Sequence, residues 1–188
     1  MLSRGRAWAD LSVAELVAEA KASVGAFYLR FRDKDALLHV LQLELYAQGA
    51  ATAARAHELA GSSVPLDAMV RAFVQVAVAS YREQRGLRRA LLVEMCINAA
   101  FRERAIELSR LTCAELVSGL ASQVKTRDAE RLAAVIDVAH RIVYGTLDQV
   151  LLYDDHAPTG RKITDPQLAD ELTAACLGYL ERSLPLRV

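Results

Sequence analysis

Proline and glycine are scarce in this 188-residue chain, four and nine respectively, which points away from turn-rich β architectures and toward helix. Cysteine is scarcer still: Cys96, Cys113 and Cys176 stand far apart in apolar helical settings. They form neither a C-x-x-C pair nor a disulfide framework, a usage that suits a reducing cytosol. No signal-peptide pattern opens the sequence, and no apolar run is long enough to span a bilayer, so no membrane partner is expected. Neither sign of charge prevails, since 23 basic residues cancel 23 acidic ones. The chain as a whole is therefore no polyanion binder, and any such contact has to come from a local patch.

Catalytic patterns are missing too. His39, His57, His140 and His156 are dispersed, with no H-E-x-x-H and no Cys–His zinc spacing. Paired E-x-x-H motifs of a di-metal bundle, a G-x-S-x-G elbow and a phosphate-cradling glycine loop are likewise lacking. Asp154-Asp155-His156 reads as a solvated loop rather than a chelate. No catalytic residue, metal site or cofactor is expected, and an enzyme is not the reading.

What is present is helical periodicity. A long amphipathic helix runs from Asp35 toward Leu59, with Leu37, Leu38, Leu41, Leu45 and Tyr46 at helical spacing. Gly61-Ser62-Ser63-Val64-Pro65 ends it. Five further helical segments follow: Leu66 to Gln84, a corner at Arg85-Gly86, Leu87 to Ile97, Phe101 to Gln123, Ala129 to Tyr153 and Pro166 to Leu184. The stripe Leu132, Val135, Ile136, Ala139, Ile142, Val143, Leu147, Val150 and Leu151 is wider than a surface helix needs, so that segment is expected to bury two faces.

The stretch from Ser12 to Leu38 is organised differently. Ser12 and Glu15 spell a capping box, followed by Val13, Leu16, Val17 and Ala20 on one face. A corner falls at Ala20-Lys21-Ala22, and Ser23 caps a second short helix. Phe27 and Phe31, four apart, are expected to face Leu16 and Val17 and so leave the opposite side outward. In a helix–turn–helix the first helix braces while the N-terminal residues of the second meet base edges in the major groove. From Lys21 to Lys34 there are four basic residues against Asp33 alone, a local net of +3. Asp33 reads as an N-cap that puts Lys34 in the next first turn, a position suited to phosphate, and Tyr28 offers a phenolic O–H.

The run Ser23, Gly25, Phe27, Tyr28, Phe31, then Lys34, Asp35, Ala36, Leu37 resembles the head signature of the TetR family of bacterial transcriptional regulators. That resemblance implies an all-α fold: a helix–turn–helix DNA-binding head over residues 1–38, its hairpin at about 12–31, joined to an all-helical ligand-binding and dimerisation body over 39–188. It implies a homodimer through the two C-terminal helices, a double-stranded DNA operator and a small-molecule effector, hence a ligand-responsive repressor in the cytoplasm. Ser12 and Val13 would open the first helix, Ser23, Val24, Gly25 and Ala26 would face the groove, and Tyr28 and Lys34 would bind phosphate. Effector-lining candidates are Met69, Phe73, Met95, Phe101, His140, Tyr144 and Asp148, mostly apolar with a few polar groups to orient a ligand.

The sequence departs from the family pattern in three places. Lys21 stands where the turn glycine is usual and Ala22 where valine is. The groove-facing positions offer mostly methyl groups, suited to thymine methyls but not to bidentate base contacts. Ahead of the hairpin, MLSRGRAWAD supplies Trp8 and small residues, too little for a covering helix between Met1 and Gly5. The head is thus expected to be incomplete and loosely held, with Leu16, Phe27 and Phe31 partly exposed and DNA binding weak. The alternative from another class is a helical homodimer that binds a small molecule or protein without effective DNA binding.

Overall fold

Ser12 opens the first helix by the reciprocal bonds its sequence calls for. Its Oγ accepts from the Glu15 N–H at 3.2 Å, and Glu15 Oε2 accepts from the Ser12 N–H at 2.9 Å. The computed structural model describes residues 6–60, 64–121, 124–125, 128–152 and 160–185, with the backbone alone at 52–60 and 151–152. Among these the chain forms eight helices and no strand: α1 (Val13–Glu19), α2 (Val24–Tyr28), α3 (Lys34–Ala60), α4 (Leu66–Glu83), α5 (Arg85–Ile97), α6 (Ala99–Leu120), α7 (Ala129–Leu152) and α8 (Asp165–Ser183).

Local chemistry accounts for most of the helix ends. The Asp33 carboxylate accepts from the Ala36 N–H at 2.8 Å to start α3, Asn98 Oδ1 accepts from Ala100 at 3.0 Å to start α6, and Thr164 with Gln167 forms a second capping box ahead of α8. The α4–α5 break falls one residue earlier than the sequence indicates, on Gln84, and Gly86 lies inside the first turn of α5. Gly61, Ser62 and Ser63, Thr126 and Arg127, and the expected Asp154-Asp155-His156 loop lie outside the described residues.

α1 ends in a Schellman pair: the Ala22 N–H donates to Val17 O at 2.8 Å and the Lys21 N–H to Ala18 O at 3.2 Å. That closure puts Lys21 at φ 52, the left-handed conformation for which the usual glycine is suited. A side chain there costs about 1 kcal/mol, part of which glycine gives back in unfolded-chain entropy. Lys21→Gly is therefore expected to stabilise the head by about 0.5 kcal/mol, read as slower amide exchange at the end of α1 with the rest of the protein unchanged.

Two cores form. One joins α4, α6, α7 and α8 around Val74, Ile136, Val143, Leu147 and Leu172. α7 packs against α4, α5, α6 and α8, but the expectation that it buries two faces is not met within one chain: Ala134, Val138, Arg141 and Gly145 line an exposed face. The other ties the head to the body through Trp8, Leu11, Leu38, Leu45, Leu91 and Phe101. Here the structure corrects one expectation, the partial exposure of Phe27. Trp8 and Leu11, from a segment that looks too poor to cover the hairpin, are almost wholly buried, and so is Phe27 at 6 % exposure, while Leu16 and Phe31 are half-buried. Trp8 and Leu11 pack with Leu38, Leu45, Leu91 and Phe101 from α3, α5 and α6, and Leu16 of α1 packs against that core. No helix among the described residues is long and apolar enough to cross a membrane.

Candidate nucleic-acid interface and effector site

α2 is five residues long and is held by one ring. Phe27 packs inward, edge-on to Tyr28 and tilted against Phe31, both with ring centres 5.3 Å away. Ser23 Oγ accepts from the Ala26 N–H at 3.1 Å, fixing the first turn. The opposite side of α2 is open: Ser23, Val24 and Gly25 are exposed, Ala26 is half-buried, and Tyr28 is 56 % exposed. Leu29 follows at 88 % exposure, a large apolar side chain in solvent that the sequence reading passes over. On α1, Ser12 is exposed and Val13 half-buried at the same end. Lys21, Arg30 and Arg32 are exposed around α2, with Arg32 Nε donating to Asp33 at 2.8 Å.

Lys34, expected at a phosphate, is engaged within the chain. Its ammonium donates to three carbonyls, Trp8 O at 2.8 Å, Ala9 O at 3.0 Å and Leu11 O at 2.8 Å, and lies 5.5 Å from the centre of the Trp8 ring. All three of its N–H donors are taken by these carbonyls within the chain. Residues 7–11 turn back on themselves, with Asp10 N bonded to Ala7 O and Leu11 N to Trp8 O, and their carbonyls converge on this one cation. Arg6, also unforeseen, clamps the same segment to α1: its guanidinium donates to Glu15 Oε1 and to Asp10 O, each at 2.7 Å. The bonds from Arg6, and then from Ser12, hold the Glu15 carboxyl down at about 2. A charge pattern does not reveal such a role, because the acceptors are backbone atoms 23 to 26 residues away.

In the body, the expected effector-lining residues separate into two groups. Met95 packs against the head–body core, and Phe101 is fully buried there with its ring stacked on His39 at 3.8 Å. These two belong to a structural joint. Phe73, His140, Tyr144 and Asp148 come together on the facing sides of α4 and α7. The Tyr144 ring lies 6.2 Å from Phe73, 5.8 Å from Tyr81 and 4.4 Å from His140. Met69 is half-buried, one turn before Phe73 on α4. The Tyr81 hydroxyl donates to Asp148 Oδ1 at 2.9 Å, and the Arg88 guanidinium lies 4.0 Å above the Tyr81 ring.

Burial sets the electrostatics of this cluster. It pushes the Asp148 carboxyl up, against the opposing effects of the Tyr81 hydroxyl and Arg88. It lowers His140, against the pull of Asp137, and it raises the phenols of Tyr46, Tyr81 and Tyr144. The arrangement is an aromatic-walled polar centre in which burial disfavours the charged forms of Asp148 and His140. Among the described residues no group of three or more His, Cys, Asp or Glu side chains is placed to hold a metal. Sequence reading misses Tyr46, Tyr81 and Arg88 as members. The available signal is Arg88 itself, a cation on the Leu87–Leu91 side of α5, where an apolar residue is due.

Both parts of the chain match known families. The family model for bacterial regulatory proteins of the tetR family matches residues 2–41, and that for the tetracyclin repressor-like C-terminal domain matches residues 65–180. The first match takes in the segment that carries Trp8 and Leu11 together with the hairpin. Among solved structures, a TetR-family transcriptional regulator from Mesorhizobium loti shares the fold with a TM-score of 0.75 and 15 % identity, over 96 % of this chain and 89 % of that one. The TetR-family regulator PfmR of Thermus thermophilus does so with a TM-score of 0.63 and 16 % identity, over 93 % and 90 %. No curated protein matches the chain. With a helix–turn–helix head matched at one end and more than half of its residues matched by the body model, this chain belongs to the TetR family of bacterial regulatory proteins.

Proposed function

We propose that this chain is a ligand-responsive transcriptional repressor that binds its operator as a homodimer and is released by a small, largely apolar molecule. The observation that carries the DNA-binding half is α2: one ring anchors it, and Ser23, Val24, Gly25 and Tyr28 are left outward on a helix capped for insertion. Ser12 and Val13 lie toward the same duplex from the start of α1, with Ala26 at the margin. Tyr28 and the exposed Arg30 supply phosphate contacts in place of Lys34. Base discrimination rests on apolar contacts from Val24 and the neighbouring Leu29, which favours thymine-rich half-sites read partly through DNA shape.

The dimer is read from α7 and α8. Their outward faces carry Ala134, Gly145 and the exposed Val138 on one and Ala174 and Ala175 on the other. A Cβ added at Gly145 or Gly178 would meet nothing within 4 Å, which leaves room for a second copy's helices to approach closely. The effector is assigned to the Phe73, His140, Tyr144 and Asp148 cluster. α3 is the lever, since it starts in the head at Lys34 and runs 27 residues into the body. A cleft of about 600 Å³ between the end of α1 and the α4–α5 corner, lined by Glu19, Leu41, Glu44 and Leu87, gives the head space to swing.

Selection of duplexes from a random-sequence pool by the full chain is expected to enrich a two-fold-symmetric site. Its affinity is expected to fall with salt at a log–log slope of about −0.9 per phosphate contacted. Tyr28→Ala is expected to weaken binding to all sequences by about tenfold without lowering thermal stability, because the ring is more than half exposed. Failure to enrich any sequence would leave the helical homodimer without DNA binding as the reading.

A further inference from the structure

Among the described residues, four buried side-chain atoms have no hydrogen-bond partner: His39 Nδ1, Gln42 Oε1, Arg88 Nε and Arg104 Nε. The first two sit in the head–body joint around Phe101. Arg88 Nε belongs to the polar centre of the body. One arm of that guanidinium donates to Ser80 Oγ at 2.9 Å, and its face lies over the Tyr81 ring. Among the described residues no carboxylate pairs with it at ion-pair distance. Asp148, close enough for its charge and that of Arg88 to be felt mutually, is bonded to the Tyr81 hydroxyl instead.

We propose that the body site takes an anionic ligand, a carboxylate carried on an apolar or aromatic frame, whose oxygen accepts from Arg88 Nε while its frame lies among Phe73, Tyr81 and Tyr144. This rests on the reading that the effector binds in this cluster, and it fixes the effector's charge. The unmet group decides the chemistry. It is a donor, so the missing partner is an acceptor oxygen. It also belongs to a full positive charge, so an anion gains more there than a neutral carbonyl does. An aromatic-walled site with a carboxylate suits a cation equally well on composition alone. Here, however, the cation is already supplied from within the chain, over the Tyr81 ring, and Asp148 already holds a donor. Burial disfavours the charged form of Asp148, the carboxylate bonded to Tyr81 that would oppose an incoming anion.

Calorimetric titration of the full chain with 4-phenylbutanoate, its neutral amide and the matching primary amine separates the possibilities, because the three share one frame. The carboxylate is expected to bind at least about tenfold more tightly than the amide, with the amine weakest. In Arg88→Gln that preference is expected to vanish. Arg88→Lys, which keeps the charge without Nε, is expected to retain only part of it and serves as the second variant if Arg88→Gln unfolds. Tyr28→Ala, in the head, is expected to leave all three affinities unchanged. Equal binding of acid and amide, tightest binding of the amine, no binding of any probe, or a carboxylate preference that survives in Arg88→Gln would each overturn the proposal. Sequence-selective DNA binding is measured separately, so its loss would overturn the repressor reading whatever the probes do, and its persistence would confine the failure to the effector's charge.

Discussion

Replacing Lys34 by methionine is expected to unlatch the head. The ammonium bonds to the carbonyls of Trp8, Ala9 and Leu11, and methionine keeps the stem but makes none of those bonds. Bonds from a charged donor contribute about 1.5–3 kcal/mol each when measured singly, but three on one half-buried ammonium share their solvation cost, so about 2–4 kcal/mol in total is reasonable. A second effect adds to the loss. Glu94 is buried on α5, its carboxyl pushed up by burial and by Asp35 and drawn down by Lys34. Without the cation, Glu94 and Asp35 face each other unscreened. The measurement is amide exchange over residues 6–38, expected to speed up in Lys34→Met while α7 and α8 stay protected, together with a fall in operator affinity of at least about tenfold. Lys34→Arg is expected to rescue it only in part, because a planar fork cannot meet three converging carbonyls as a tetrahedral ammonium does. If head protection is unchanged in Lys34→Met, the latch is not what holds residues 6–11.

Phe101→Ala is expected to have the larger effect on global stability. The ring is fully buried where α6 meets α3, stacked on His39, and its carbonyl accepts from the buried Gln42 Nε2 at 3.2 Å. Truncating such a ring costs about 3–5 kcal/mol, from lost transfer energy and the cavity left behind. For a chain of this size that lowers Tm by on the order of 10 °C. Because Phe101 lies in the joint rather than in the Tyr144 cluster, ligand affinity in the surviving folded protein is expected to hold, whereas coupling between ligand and DNA is expected to weaken. The check is calorimetric unfolding alongside a DNA titration with and without 4-phenylbutanoate. A loss of ligand affinity as large as the loss of stability would return Phe101 to the binding site.

How much of this is readable from the chain depends on the range of each interaction. Ser12 with Glu15, Ser23 with Ala26 and Asp33 with Ala36 bond across three residues, so capping chemistry places the starts of α1, α2 and α3 from the sequence. The strain at Lys21 is legible as well, because a turn glycine is expected there and the backbone adopts that conformation without one. The N-terminal segment misleads because apolar residues are counted along the chain. Trp8 and Leu11 fill a core whose other walls, Leu45, Leu91 and Phe101, come from distant segments. Phe101 reads as effector-lining for the same reason, since an aromatic at helical spacing does not say which of two cores it enters.

The sequence by itself determined the all-helical class, the helix boundaries to within a few residues, the hairpin with its family resemblance, and the inward turn of Phe27. These follow from backbone capping and a 3.6-residue period, which act locally. Only the tertiary structure decided that Lys34 serves carbonyls from a segment more than twenty residues away. It alone divided the expected effector residues between a structural joint and a polar centre, and it alone left Arg88 Nε buried without an acceptor. Each of those depends on which helices meet, and a buried donor's missing partner is visible only once every neighbour has been placed around it.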